Sequence, residues 1–382
     1  MKIVIAPDSF KESLKASDVA SAIKAGFSQI YPDAGYVLLP VADGGEGTVE
    51  AMVNAIGGSI IKTVVIDPLG QKNESFYGIS KDKQCAIIEM AAASGLELVP
   101  INERNAKITT SYGTGQLIYH ALEKGVKKFI IGIGGSATND GGAGMLQALG
   151  IKLLDKNGQQ IGYGGQALAD LNEIDITGMD PRLKNCDFEV ACDVTNPLTG
   201  KNGASFIFGP QKGANAIDIE LLDNNLKHFA NVIKNDLNID VEHIPGTGAA
   251  GGMGAALLAF LNAKLKPGIE IITELLNLDE LIKNADLVIT GEGRLDHQSI
   301  NGKVPIGIAT IAKKYNKPTI AIVGSFGNNA ELVYPYGISA MFSILSKIST
   351  LAEALDPQTA KYNLCLNARN IAATLQIGSQ FK

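Results

Sequence analysis

The sequence is poor in cysteine, in histidine and in charge of either sign, and each shortage removes a class of chemistry. Its four cysteines, Cys85, Cys186, Cys192 and Cys365, form no CxxC pair. In a chain of 382 residues they read as reduced thiols, which points to a cytoplasmic setting. The four histidines, at 120, 228, 243 and 297, lack HExxH spacing, so a histidine-based zinc site is not expected. His120 and His228 fall within helical runs and read as structural. With 33 basic against 39 acidic residues the formal charge is −6, and no basic face for nucleic acid is announced. Long hydrophobic runs are missing as well. The opening apolar run, 3–6, stops before Asp8 and is too short for a secretory segment. The longest uncharged stretch, 244–263, is broken by Gly246, Gly248, Gly251, Gly252 and Gly254, so it reads as a glycine-rich loop entering a buried helix rather than a membrane span.

Several catalytic signatures are absent too. Gly302-Lys303 is followed by Val304 and Gly200-Lys201 by Asn202, which excludes an ordinary P-loop. The protein-kinase motif set and the GxSxG elbow are also missing.

What the chain does contain is enough apolar material, 46%, for a large core, and length for two domains. The opening reads as strand 2–6, a helix capped by Ser17 carrying Val19, Ile23, Phe27 and Ile30, then strand 36–40 and a helix to about 56. The end reads alike. Strands are expected at 286–290, 319–323 and 338–342, with one helix presenting Ile308, Ile311, Ala312 and Tyr315. A last helix presents Ala360, Leu364, Ala368, Ile371 and Leu375. Such alternation implies a parallel sheet covered on both faces. The middle is mixed: antiparallel strands at 62–66, 73–79 and 85–90, a helix after Thr114 ended by Gly125, a strand at 129–133, and a helix through Ile219, Leu222, Leu226, Phe229 and Ile233. The expected fold class is α/β. One Rossmann- or flavodoxin-like domain is built from 1–65 and 260–382, and a mixed α/β domain, 66–259, is inserted. Residues 105–150 fit either.

Glycines gather where strands end. The strongest cluster, 132–144, follows an apolar strand and precedes a helix. Gly134, Gly135, Gly141 and Gly142 would let the backbone approach a phosphate, with Ser136, Thr138 and Asn139 as further donors. Tight strand–helix packing is the alternative. Gly246-Thr-Gly-Ala-Ala-Gly-Gly252 matches GxGxxG and brings Gly248 and Gly251, although a lone match is equally explained by packing. The third cluster runs from Gly291 to Asp296. Arg294 there could clamp a phosphate or carboxylate with its guanidinium fork, or form a surface ion pair. A dinucleotide fingerprint is also formally present, as Gly132-Ile-Gly-Gly-Ser-Ala137 with Asp155 near ribose-binding spacing. Asp140 opposes it, because a carboxylate beside a pyrophosphate needs a metal ion between them.

Polar clusters sit at the other strand ends. Ser9 and Lys11 follow the first strand and suit a carboxylate or a phosphate, or else form a capping turn. Asp43 and Glu46, among glycines, suit Mg²⁺, which takes few carboxylates plus water and phosphate; capping of the next helix is the alternative. Asp193 follows the apolar run 188–191, where a general base or metal ligand belongs. Asp296 is a further catalytic candidate, and Lys303 could neutralise a transferring phosphoryl group.

The blocks 7–14, 40–48, 132–144, 192–198, 246–252 and 291–303, in this order, resemble the signature blocks of the bacterial glycerate kinases. The likeness runs from about residue 2 to 377, and Glu12 stands where that pattern has a small residue such as glycine. The resemblance implies two unlike α/β domains with the active site in the cleft between them. It implies phosphorylation of D-glycerate by ATP with Mg²⁺, mainly to 2-phosphoglycerate, with 3-phosphoglycerate also attributed to the wider group. It implies that the 132–144 loop holds ATP phosphates and that Ser9, Lys11 and Arg294 orient the glycerate carboxylate. Asp193 as the base rests on its position alone. Phosphoryl transfer needs mainly positioning and charge neutralisation, so direct in-line transfer is the expected mechanism. Partners are the two small molecules, with neither nucleic acid nor membrane, and a homodimer stays open. The rivals are an NAD(P)-dependent oxidoreductase acting on a small hydroxy acid, and a non-catalytic sugar- or nucleotide-binding protein.

Overall fold

A computed structural model describes residues 1–41, 48–297, 299–300 and 303–381. The chain divides into two compact units, Met1–Asp43 with Ile269–Lys382, and Gly44–Gly268.

The first unit is built on a five-stranded, wholly parallel sheet. Its order is Ala340–Ser343, Thr319–Val323, Leu287–Thr290, Lys2–Ile5, Gly35–Leu38. Numbered along the chain and read from the other edge, that is 2-1-3-4-5, the flavodoxin order. Its switch point lies between the first and third strands, paired Ile3↔Leu287 to Ile5↔Ile289. Ile3, Val4, Ile5, Val288 and Ile289 are fully buried, as both faces of a parallel sheet must be. One face packs on the helices Ala16–Phe27 and Pro357–Gly378, which meet where Gly26 lies against the Cys365 carbonyl. The other face packs on Ile306 and Ala309 of the helix Val304–Lys314.

Three details depart from the sequence pattern. Ser17 does not cap the first helix, which begins at Ala16 after an extended Lys15 with no side-chain cap; Asp18 in the first turn meets the helix dipole instead. Leu375 is exposed and Ala372 is buried, because the apolar stripe 364–368–371 continues through 372. Glu12 has φ +65°, a left-handed conformation that favours glycine, so the residue that breaks the family pattern stands where the backbone asks for that pattern.

The second unit carries a six-stranded sheet in the order Lys264–Lys266, Asp187–Ala191, Lys128–Gly132, Cys85–Glu89, Lys72–Ile79, Ser59–Ile66. The first four strands are mutually parallel, and each of the last two runs antiparallel to the strand before it in this order. Residues 59–66 pair along their whole length with 72–79, and 264–266 pair with 187–191. The stretches 48–65 and 260–268 therefore belong to this unit, not to the one built from the chain ends, and so does 105–150. Phe129 and Phe188 stack at 4.8 Å between ring centroids at its core. Among the described residues no helix is long and apolar enough to cross a membrane.

Candidate functional site

Two clusters of loops carry the polar side chains, one at a sheet edge in each unit.

In the first unit the loops leaving the two strands of the switch point lie side by side. Asp8 N–H donates to the Gly291 carbonyl at 2.8 Å, and Gly293 faces the backbone of Phe10 and Lys11. Ser9, half-buried, and Lys11, exposed, lie on the first loop. On the second, Arg294–Leu295 forms a short parallel ladder with Ser325–Phe326, which fixes the backbone beneath the Arg294 side chain. That side chain is 66% exposed, and its Nε lies 3.5 Å from Asp296 Oδ2. Asp296 is itself held by its backbone N–H to Ser299 Oγ at 3.2 Å.

Glu292, which the sequence does not single out, organises the rest. Its buried carboxylate accepts from Ser299 Oγ at 2.5 Å and from Lys303 Nζ at 3.2 Å. Burial pushes this carboxyl up, against the pull of Ser299 and Lys303. Lys303 thus stands at the start of the helix Val304–Lys314 with its ammonium tethered to Glu292.

In the second unit the four parallel strands all end at one edge. Asp193 leaves the strand Asp187–Ala191 there, and its Oδ1 accepts from Gly268 N–H at 3.0 Å. In the adjacent strand Gly132 is in register with Ala191, so the glycine-rich loop starts beside Asp193. At the same edge Glu89 ends its strand and accepts from Val49 N–H at 2.7 Å, near the start of the helix Thr48–Ala55. Asp43 and Glu46 lie outside the described residues.

The glycine-rich loop has two unlike halves. Gly134 and Gly135 are exposed. Thr138, Asn139 and Asp140 are fully buried. Asn139 Nδ2 donates to Ser205 Oγ at 2.9 Å, so Thr138 and Asn139 shape the loop from within instead of presenting donors on its surface. Gly141 and Gly142 turn through the left-handed region into the helix Ala143–Ala148. The helix start is not open to a phosphate: Gly142 and Gly144 N–H donate to Asp140, and Met145 N–H to Ser111 Oγ. Asp140 also accepts from Ser111 N–H and Oγ, at 2.9 and 2.8 Å. Its carboxyl, raised by burial, is turned inward onto these four donors.

The 246–252 loop packs against this one. A side chain on Gly251 would collide with the Thr138 carbonyl, and one on Gly248 with the Pro197 carbonyl. Gly141 N–H donates to Gly251 O at 3.0 Å. Close backbone approach accounts for both glycines.

Beneath the glycine-rich loop lies Lys212, 1% exposed. Its Nζ donates to Ser136 Oγ and to the Thr138 carbonyl, each at 2.7 Å. Pro210-Gln211-Lys212-Gly213 reads in sequence as a surface turn, which is why the lysine goes unnoticed there. Burial pushes its ammonium down to about 7 from the ordinary 10.5, and Asp140 works in the opposite direction. Between these values the unfolded chain binds more protons than the folded one, so stability rises with pH. Relative to Lys212→Met, the wild-type protein should gain up to about 4 kcal/mol from pH 7 to pH 10. Denaturant melts across that range would show it, and equal slopes for the two proteins would contradict the lowered ammonium of the buried Lys212.

The dinucleotide alternative fails on topology. Lys152–Leu154, the strand before Asp155, pairs antiparallel with Glu173–Asp175 in a separate two-stranded sheet, so it does not lie beside the loop's strand to bring Asp155 to a ribose. Asp155 closes its own turn, accepting from Asn157 and Gln159 N–H at 2.8 Å each.

Known proteins resemble the chain over its whole length. A model of the glycerate kinase family matches residues 3–376. The chain is 63% identical over 378 residues to glycerate 2-kinase of Escherichia coli K12, covering 99% of each chain. It is 52% identical over 377 residues to glycerate kinase of Bacillus subtilis 168, covering 99% of this chain and 98% of that one. A crystal structure from Salmonella typhimurium LT2, whose assignment as glycerate kinase 2 is provisional, superposes with a TM-score of 0.92 at 58% identity, covering 100% of this chain and 99% of that one.

Proposed function

We propose, for a chain that belongs to the glycerate kinase family and is a glycerate kinase, that it moves the γ-phosphoryl group of ATP onto the 2-hydroxyl of D-glycerate in one in-line step. The observation that carries this reading is the full-length 63% identity to a glycerate 2-kinase. The geometry supplies the roles.

Glycerate is a small anion, and the switch point of the first unit offers it Arg294, Ser9 and Lys11. A guanidinium matches a carboxylate with two parallel N–H···O bonds. Asp296 beside Nε sets the orientation of the fork. Lys303, tethered by Glu292, offsets charge on the transferring group.

In the second unit the exposed Gly134–Gly135 turn brings backbone N–H groups to the ATP phosphates, with the Ser136 hydroxyl next to it. The buried half of the loop and the 246–252 loop hold that turn in shape. Asp193, at the neighbouring strand end, accepts the proton of the 2-hydroxyl as its oxygen bonds to phosphorus and the bond to the ADP oxygen breaks. Phosphoryl transfer asks little more of a protein than this positioning and charge balance.

Mg²⁺ takes one or two carboxylates along with water and phosphate oxygens, so it needs no all-protein cage. Asp43 and Glu46 would hold the ion: they precede the helix Thr48–Ala55, which Glu89 fastens at the edge where the loop turns. The ion supplies neutralisation of phosphate charge.

The test is ADP release by the purified protein with ATP and Mg²⁺, with and without D-glycerate. Release that depends on D-glycerate is expected. Release at the same rate without it would overturn the assignment.

A further inference from the structure

A lysine buried to 1% exposure with no salt bridge among the described residues is costly, because its charge loses water and gains only dipoles in return. Lys212 is such a residue. Its two acceptors, a serine hydroxyl and a main-chain carbonyl, are both neutral. Asp140, the acid that acts on it, already serves four donors. On the outer side Arg104 binds the Val99 and Gln211 carbonyls, and Lys107 pairs with Asp218. None of these offers Lys212 a dedicated partner.

The segment that carries it is rigidly placed. Helix Ala204–Phe208 holds Asn139 through Ser205, and Gly213, at φ +86°, lies against the Arg104 carbonyl, where any side chain would collide. The glycine-rich loop is therefore gripped from below at three successive polar points: Ser136 Oγ, the Thr138 carbonyl and Asn139 Nδ2. Above them, on the other side, Leu96 N–H and Ala137 N–H bond across to Gly135 O and Ser94 O. What remains exposed between these fastenings is the turn at Gly134 and Gly135.

We propose that Lys212 is a positioning residue for ATP: it fixes the 134–136 turn in the shape that receives the phosphates, and its buried charge acts on them through the loop. This rests on the reading of that turn as the nucleotide site. A polyanion arriving at the turn supplies the counter-charge that the free protein lacks there, so the cost of burying the cation is recovered when ATP binds. The shift of the ammonium to about 7 agrees with a cation short of a counter-charge in the free protein.

The experiment compares steady-state constants of wild type, Lys212→Met and Gly135→Val, with Lys212→Gln replacing the methionine variant if that one does not fold. Gly135 has φ +71°, so a β-branched residue reshapes the turn without touching Lys212. The expected result is a KM for ATP raised roughly tenfold to a hundredfold in both the Lys212 and the Gly135 variants, corresponding to about 1.4–2.8 kcal/mol of binding. The KM for glycerate should stay within about twofold, a split that a merely structural loss would not produce. If Gly135→Val raises the ATP KM and the Lys212 variant does not, the inference about Lys212 is overturned while the turn remains the nucleotide site. If the folded Lys212 variant loses kcat or glycerate affinity with its ATP KM unmoved, the inference is likewise overturned. If neither variant changes the ATP KM, the nucleotide reading of the turn falls, and the role of Lys212 falls with it.

Discussion

Asp193→Asn should lower kcat by roughly a hundredfold to ten-thousandfold with the fold intact, the range that loss of a general base produces. That corresponds to about 3–5.5 kcal/mol of transition-state stabilisation. The fold should survive because the amide can keep the bond to Gly268: Oδ1 accepts from Gly268 N–H at 3.0 Å, and an asparagine carbonyl accepts equally well. What the amide cannot do is take a proton. The change should therefore fall on kcat, with KM for both substrates nearly constant, and melting temperature should confirm folding. A rate near that of the wild type would remove Asp193 from the role of base and leave it as a brace for the loop at Gly268.

Arg294→Ala should raise KM for glycerate roughly tenfold to a hundredfold, because a charge-assisted bond to a carboxylate contributes about 1.5–3 kcal/mol. Stability should barely move. The side chain is 66% exposed, and its contact with the mostly buried Asp296 carboxylate is a loose one, at 3.5 Å from Nε. Its backbone is secured by the ladder with Ser325–Phe326 whatever side chain it bears. Arg294→Lys should recover only part of the loss, since an ammonium cannot reproduce the planar fork. KM for ATP should remain unchanged. An ATP KM that rises in step with that for glycerate would show that Arg294 serves the nucleotide instead.

Much of the architecture is written locally. The strand Thr319–Val323 has the bounds its apolar β-branched run announces, and the helix Ala216–Leu237 buries Leu222, Leu226, Phe229 and Ile233 at their expected spacing. Boundaries between units are written elsewhere. The antiparallel strand expected at 62–66 crosses the expected boundary at 65, whereas its pairing with 72–79 keeps all of 59–66 in the second unit; pairing is a long-range property that periodicity does not encode.

The site divides on the same principle. Glycines after strands mark the loops, because close backbone approach leaves a local signature. Which side chains face out does not. Thr138 and Asn139 are good hydrogen-bonding residues in a glycine loop and so look like ligand donors, but the helix Ala204–Phe208 packs over them and Ser205 takes the Asn139 amide. Asp140 looks like an obstacle to phosphate and is instead an internal cap, bonded to Ser111, Gly142 and Gly144. Glu292 and Lys212 are hidden for the opposite reason. A single charged residue in a polar stretch looks like solvent-facing surface, and only the three-dimensional packing reveals that each is buried and holds its neighbours in place.

The measurement that bears most directly on the activity is phosphorus NMR of purified protein incubated with D-glycerate, ATP and Mg²⁺. The account predicts a growing 2-phosphoglycerate resonance as ATP converts to ADP. A 3-phosphoglycerate resonance in its place would contradict the placement of the 2-hydroxyl against the γ-phosphate, and ATP consumption with no phosphorylated glycerate would contradict the transfer itself.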